Sequence, residues 1–517
     1  MTTTLRELLD ARVREHPDTV AVSGAGTTLT WASLRDAARG VASGLVTHGI
    51  RAQDRVVFIG KNDPRYFAVL FGCGLAAAVL TPLNWRLAPH ELAEMVEDSG
   101  AGVLVVDEHG ATAVEAMGDG LPPGCTVVTL DGHERWPSLA EFSGPAEDPG
   151  VPALAQHVAF QLYTSGTTGR PKGAMFANEP NLRVLLEDIS RAWDFTGDDV
   201  SLVCMPLFHM GGLAWALCGM ARGARTVVVR DFVPGEVLDT MEREAVTLAF
   251  CVPTMLSALC VVPSVGDRRL ALRQMVYSGS PIQPAALHRA MAALGCDFVQ
   301  IYGLTEATGA FAQLSAAEHR ADADDPGALS SAGRPYPWVH VRVVDPSTLE
   351  DVAAGGVGEI WTRSEQNMVG YWRRPEETAQ SLQPDNWLRT GDLGHLGPGG
   401  HIHLVDRAKD LVITGGENVY PAQVERVLST HPDIAEVAVI GVPDERWGET
   451  VKAIAVAETG VVLDTAQVIA FARERMASFT CPTSVDQVDA LPRTATGKVI
   501  KPVLREPYWH GHDRRVH

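Results

Sequence analysis

From Thr28 to beyond residue 300, strand-like and helix-like segments alternate, and nothing else in the chain restricts its fold as much. Leu34, Ala37, Ala38, Val41 and Leu45 recur at helical spacing; residues 55–59 read as a strand, 91–98 as a helix and 103–106 as a strand. Such a succession predicts a largely parallel sheet covered on both faces. The Gly- and Pro-rich stretch 121–152 reads as surface connection. A helical stretch at 181–193 is followed by strand character at 200–206, 225–229, 248–252 and 274–277. From Gly333 the pattern changes to strands without intervening helices, at 340–344, 358–362 and 401–405, which predicts a small antiparallel β unit. Beyond Asp406 come a strand at 411–414, a helix opening at Pro421, strands at 437–442 and 452–456, and a helix at 467–476. The fold class is thus α/β, with a large domain over residues 1–405 and a small α+β domain over 406–517.

The chain of 517 residues, 46% apolar and 21% charged, has the composition of a soluble globular enzyme. Its formal net charge of −20 argues against nucleic acid or an anionic membrane surface as partner, so a polyanionic substrate must meet a locally basic pocket. Eight cysteines form no C-x-x-C pair and are too sparse to staple a chain this long, which fits a reducing cytoplasm. The N-terminus interleaves Arg6, Glu7, Asp10, Arg12, Arg14 and Glu15 with Leu5, Leu8 and Leu9, the pattern of an amphipathic helix and not of a signal peptide. Residues 66–85 carry no charge and are numerous enough to span a bilayer, but Gly72, Gly74 and Pro82 divide them into a helix and a short strand. A buried α/β element is expected there, and no integral membrane segment.

Residues 163–173, YTSGTTGRPKG, demand an explanation other than packing. Glycines let successive backbone N–H groups converge on an anion, hydroxyls add donors without bulk, and Lys172 supplies a movable positive charge. A triphosphate is the natural guest. The P-loop of NTPases is excluded, because after Gly166 and four intervening residues that pattern needs Gly-Lys-Ser/Thr and the chain has Pro171-Lys172-Gly173. Four further polar constellations follow: Tyr302-Gly303-Leu304-Thr305-Glu306; Arg389-Thr390-Gly391-Asp392; Asp406-Arg407-Ala408-Lys409-Asp410 with Gly415-Gly416-Glu417-Asn418; and 492–498, Pro-Arg-Thr-Ala-Thr-Gly-Lys.

In this order and spacing the five motifs resemble those of the adenylate-forming superfamily, which includes acyl-CoA synthetases, adenylation domains and beetle luciferases. The resemblance covers roughly residues 20 to 505 and is most like a fatty or medium-chain acyl-CoA synthetase. It implies two helix-covered sheets and a small β-barrel-like unit in the large domain, and a mobile small domain that turns about Asp406 between two half-reactions. In the first, a carboxylic acid attacks the α-phosphate of ATP to give acyl-AMP and pyrophosphate; in the second, CoA displaces AMP.

The resemblance also assigns roles. Lys498 would neutralise the carboxylate and the bridging oxygen as a preorganised cation. Glu306 would hold Mg²⁺ with the phosphates. Thr305 and the loop residues Thr164, Ser165, Gly166, Thr167, Thr168, Gly169 and Lys172 would contact phosphate oxygens, and Tyr302, beside Gly303, would stack on adenine. Gly279 and Ser280 would adjoin the nucleotide. Asp392 suits two ribose hydroxyls, and Arg407 can bridge ribose and phosphate. Gly415, Gly416 and Asn418 would face the site for thiol attack. His209 resembles the aromatic or histidine that gates the substrate carboxylate; a satisfied core histidine is the competing reading. Glycines 211, 212, 279 and 303 would leave room for an apolar acyl group, which Trp215 would shorten if it points inward. A homodimer is carried as the assembly.

Two departures bear on the acceptor. Thr480 stands where acyl-CoA synthetases commonly place a lysine, and Pro502 interrupts a usual Lys-Arg pair. Both lie in the small domain, so they leave adenylation intact and keep open an amide ligase, whose acyl-AMP is captured by an amine. A non-catalytic acyl-nucleotide binder is disfavoured by the presence of both Glu306 and Lys498.

Overall fold

The computed structural model describes residues 3–118, 120–164, 171–263, 265–280, 282, 284–320, 328–415, 417–494 and 497–510. The chain forms two compact units, one of residues 1–329, 335–340 and 363–388, the other of residues 330–334, 341–362 and 389–517. The boundary expected at Asp406 falls inside the second.

In the first unit two sheets carry the alternating pattern. One runs Gly309–Leu314, Asp297–Leu304, Gln274–Tyr277, Leu248–Cys251, Val200–Val203, Arg225–Val228, Val20–Gly24, Thr27–Thr30; its interior pairs are parallel and its outer pairs antiparallel. The other runs Gly370–Tyr371, Lys172–Ala177, Val158–Thr164, Val79–Leu83, Arg55–Ile59, Val103–Val106, Thr126–Thr129. The central strands are buried at every position and apolar apart from Arg55 and Thr81, as strands covered on both faces are.

The uncharged stretch 66–85 is a buried helix, Arg65–Leu75, followed by the strand Val79–Leu83. Its glycines are packing devices. A methyl group on Gly72 would meet Val41 Cγ1 at 2.7 Å, and one on Gly74 would meet Leu5 Cβ at 2.7 Å, so neighbouring helices approach more closely than side chains allow. No helix among the described residues is long and apolar enough to cross a membrane.

Two expectations change. Within the presumed connection 121–152, Thr126–Thr129 pairs in parallel with Val103–Val106 as a sheet edge. The helical stretch at 181–193 is largely wide π-helical turns, Asn178–Leu182 and Val184–Ile189.

The second unit contains the expected strand-rich piece, with Gly358–Arg363 beside Trp387–Leu396 and Ile402–Arg407 antiparallel to the latter. A further sheet runs Glu417–Val419, Val412–Thr414, Gly448–Ala457, Ile434–Asp444, with Ser484–Gln487 parallel to Gly448–Ala457. Period two along Ile434–Asp444 sends Val439 to one face, with Val424, Leu428 and Val468, and Ala438, Ile440 and Val442 to the other, with Leu491, Leu504 and Tyr508. Helices Pro421–Leu428 and Thr465–Arg473 therefore cover one face and Lys501–Trp509 the other.

Candidate active site

In the first unit, strands Val158–Thr164 and Lys172–Ala177 pair antiparallel, with Thr164 opposite Lys172. Ser165, Gly166, Thr167, Thr168 and Gly169 lie outside the described residues. Thr164 Oγ1 donates to Glu306 Oε1 (3.1 Å), and Tyr371 Oη donates to the same oxygen (2.9 Å). Lys172 is buried, its Nζ 5.3 Å from the centre of the Tyr371 ring, a cation–π distance. Burial, and then the Glu306 charge, raise the Tyr371 phenol far above its usual range, so it stays a donor.

Glu306 belongs to a single 3-10 turn, Thr305–Ala307, at the carboxyl end of Asp297–Leu304. Gly279 (φ 96°) and Ser280 follow the adjacent parallel strand, and His209 follows another strand of the same sheet. The carboxyl edge of a parallel sheet is where α/β proteins bind ligands. Tyr302 is buried edge-on against Phe311, with ring centres 4.7 Å apart.

The glycines do not open room as expected. A methyl group on Gly303 would lie 1.9 Å from Gly309 O, on Gly212 2.2 Å from Pro206 O, and on Gly211 2.9 Å from Phe250. These three allow close backbone packing; Gly279, 3.1 Å from Val252 Cγ1 by the same test, is constrained mainly by its positive φ. Trp215 is likewise core: its indole N–H donates to Leu202 O (2.9 Å) and its rings pack on Phe195 and Phe250.

His209 precedes the helix Met210–Arg222 without capping it, and its Nε2 is buried with no hydrogen-bond partner. Burial, and then the nearby Arg86 guanidinium, pull its pKa to about 4, so it is neutral near pH 7. A buried ring nitrogen left unpaired counts against a satisfied core histidine. With Phe208 and Met210 on either side in the chain, it gives one polar atom to apolar surroundings.

In the second unit, Asp392 and Arg407 face each other across antiparallel strands, Arg407 Nε 2.9 Å from Asp392 Oδ1. Lys498 closes a tight turn: Thr494 N–H donates to Lys498 O (2.7 Å), and Arg493 ties Gly497 O (2.6 Å) and Glu436 (3.0 Å). Burial, then Arg407 and Lys409, lower the Lys498 pKa to about 8 against the opposing pull of Asp392 and Asp410. Asp410 is itself paired with Arg505. Two cations, Arg407 and Lys409, and two carboxylates, Asp392 and Asp410, thus surround Lys498, and burial is the main reason its ammonium is disfavoured until an anion arrives.

Asp406 is the penultimate residue of the strand Ile402–Arg407. Its carboxylate accepts the backbone N–H groups of Arg407 and Ala422, 2.7 Å each, and burial raises its pKa to about 6. Gly415 (φ 59°) is covered by the exposed Trp447, and Asn418 is exposed on the strand Glu417–Val419; Gly416 lies outside the described residues. Thr480 turns its hydroxyl onto Ala477 O (2.7 Å).

Tyr371 and Arg505 enter these clusters without having been singled out by sequence, and Lys409, named within its motif, had been given no role.

Glu306 gives a hard oxygen whose protein partners here are neutral hydroxyls, and among the described residues no three metal-binding side chains cluster. These residues fit an Mg²⁺ ion that takes its other ligands from phosphate and water.

Residues 9–372 match the AMP-binding enzyme family and residues 423–498 the AMP-binding enzyme C-terminal domain. The chain is 36% identical to the fatty acid–[acyl-carrier-protein] ligase ScoC of Streptomyces coeruleorubidus, over 99% of this chain and 98% of that one. It is 39% identical to feruloyl-CoA synthase of an Amycolatopsis species, over 96% and 97%. Among solved structures, ATP-bound MatB from Rhodopseudomonas palustris superposes with a TM-score of 0.87 at 31% identity, covering 99% of this chain and 100% of that one. The chain belongs to the adenylate-forming AMP-binding enzymes, of the acyl-CoA synthetase type.

Proposed function

We propose a division of labour for this acid–thiol ligase, which joins a carboxylic acid to ATP as acyl-AMP and passes the acyl group to CoA. Thr164, Lys172 and the loop they flank hold the β- and γ-phosphates that leave as pyrophosphate. Glu306 is the protein's ligand to Mg²⁺, which when bound offsets phosphate charge. Asp392 and Arg407 hold the ribose and adjoining phosphate, and Lys498 meets the negative charge that builds as the carboxylate oxygen bonds to the α-phosphorus and the bond to pyrophosphate breaks. The observation that carries this reading is the placing of Lys498, buried, beside the Asp392–Arg407 pair.

For the acid we propose an apolar monocarboxylate. Its carboxylate approaches His209, whose neutral ring can donate one hydrogen bond, and its tail meets the surface of Phe208 and Met210. The eight free cysteines support a reducing, cytoplasmic setting.

Product analysis with wild-type enzyme tests the reading. Incubation with ATP, Mg²⁺, a panel of fatty and aromatic acids and CoA should give acyl-CoA and AMP. CoA-independent amide formation with added amines and no thioester would overturn the acceptor; Thr480, where the family commonly has lysine, is the reason to run that arm.

A further inference from the structure

A single 3-10 turn has few hydrogen bonds of its own with which to aim a carboxylate. The Glu306 turn is followed by Thr308 at φ 51°, a left-handed conformation costly for a β-branched residue unless its surroundings impose it. Those surroundings are residues 366–368. Met368 N–H donates to Glu306 O (2.7 Å), and Thr308 Oγ1 donates to the backbone carbonyl of Gln366. The fully buried Gln366 side chain donates through Nε2 to Ala307 O (2.7 Å) and Ala310 O (2.8 Å), one on each side of Thr308. Its Oε1 accepts the indole N–H of Trp338 (2.8 Å). Two donors on carbonyls and an acceptor on an indole fit only one orientation of a primary amide, so no other side chain of that length satisfies all three.

We propose that Gln366 is a positioning residue for adenylation: its amide, locked by Trp338, fixes the turn that points Glu306 at the metal–nucleotide site. This rests on the reading of Glu306 as the Mg²⁺ ligand. A supporting group of this kind is typically worth roughly 10- to 100-fold in metal affinity or activity.

The test is calorimetry of ATP binding to the full-length enzyme with and without Mg²⁺, alongside acid-dependent ATP–pyrophosphate exchange. Gln366→Met, which keeps the length and loses all three hydrogen bonds, should lower kcat by about tenfold. It should also cut the Mg²⁺-dependent gain in ATP affinity by a similar factor, with Mg²⁺-free ATP affinity and acid KM unchanged. Trp338→Phe, which frees only the outer end of the amide, should act in the same direction to a smaller extent and carries the test should Gln366→Met fail to fold. Glu306→Gln is the control. Should it lose the Mg²⁺ gain while Gln366→Met keeps it, or Trp338→Phe keep it where Gln366→Met is unfolded, the positioning role is wrong. Should Glu306→Gln keep the gain itself, the metal reading fails and the inference with it. A drop in melting temperature with the gain intact would mark Gln366 as merely structural and overturn the proposal.

Discussion

Glu306 in the first unit and Lys498 in the second both sit on short turns, yet their surroundings have opposite electrostatic character. Neutral hydroxyls of Thr164 and Tyr371 converge on one oxygen of the Glu306 carboxylate. They stabilise the charge without cancelling it, which leaves it available to a cation. Lys498 has the reverse situation: burial first, and then Arg407 and Lys409 against Asp392 and Asp410, hold the ammonium at a pKa of about 8. Its charge becomes cheap only when an anion arrives. In the proposed roles, a carboxylate facing a metal and an ammonium meeting an anion serve to bring acid and ATP together, since both substrates are negative.

The largest break in this comparison comes from deleting either end. Lys498→Ala should slow acyl-AMP formation by at least ~10²-fold, the scale for one preorganised transition-state donor; near wild-type adenylation with only the CoA step lost would show that Lys498 serves the second half-reaction. Tyr371→Phe removes one of the two donors on Glu306 and should cost adenylation about fivefold, in keeping with roughly 1 kcal/mol for one hydrogen bond; single-turnover formation of acyl-AMP reads this directly, and no change would mean that Thr164 alone suffices.

Titration sharpens the other side. In the role proposed for it Lys498 needs its proton, so kcat/KM for adenylation should fall as pH rises through about 8, the free enzyme's value. Replacing Lys409 with Gln removes a like charge, which raises the Lys498 pKa and moves that alkaline limb to higher pH; a limb unmoved or displaced downward would contradict the cation cluster. The same depression predicts the smallest effect. Folded Lys498 loses its proton near pH 8, whereas an unfolded lysine keeps it to about 10.4, so the folded form binds fewer protons between these values and stability rises with pH there. Lys498→Met removes a charge that folding disfavours, and its melting temperature at pH 7 should not fall below wild type's.

Much of this was legible in the amino acids. Period 3.6 and period 2 report burial, so the alternating sheets and the two-faced strand Ile434–Asp444 follow from them. The strand Thr126–Thr129 did not, because four residues set among glycine and proline have too short a pattern to stand out. Glycines misled for a related reason: Gly211, Gly212 and Gly303 are small because backbone or ring atoms fill the space beside them, and a sequence cannot distinguish filled space from a pocket. Of the site, the polar motifs were visible, but Tyr371 on Glu306, 65 residues away, and Gln366 under the same turn are tertiary pairings with no periodicity to announce them.

The most direct test of the account is ATP–pyrophosphate exchange by the purified full-length chain across a broad panel of carboxylic acids, with Mg²⁺ and without CoA. The account predicts exchange that depends on the acid, is strongest for apolar monocarboxylates and is lost in Lys498→Ala. Absence of exchange with every acid, or exchange unaffected by that substitution, would contradict it.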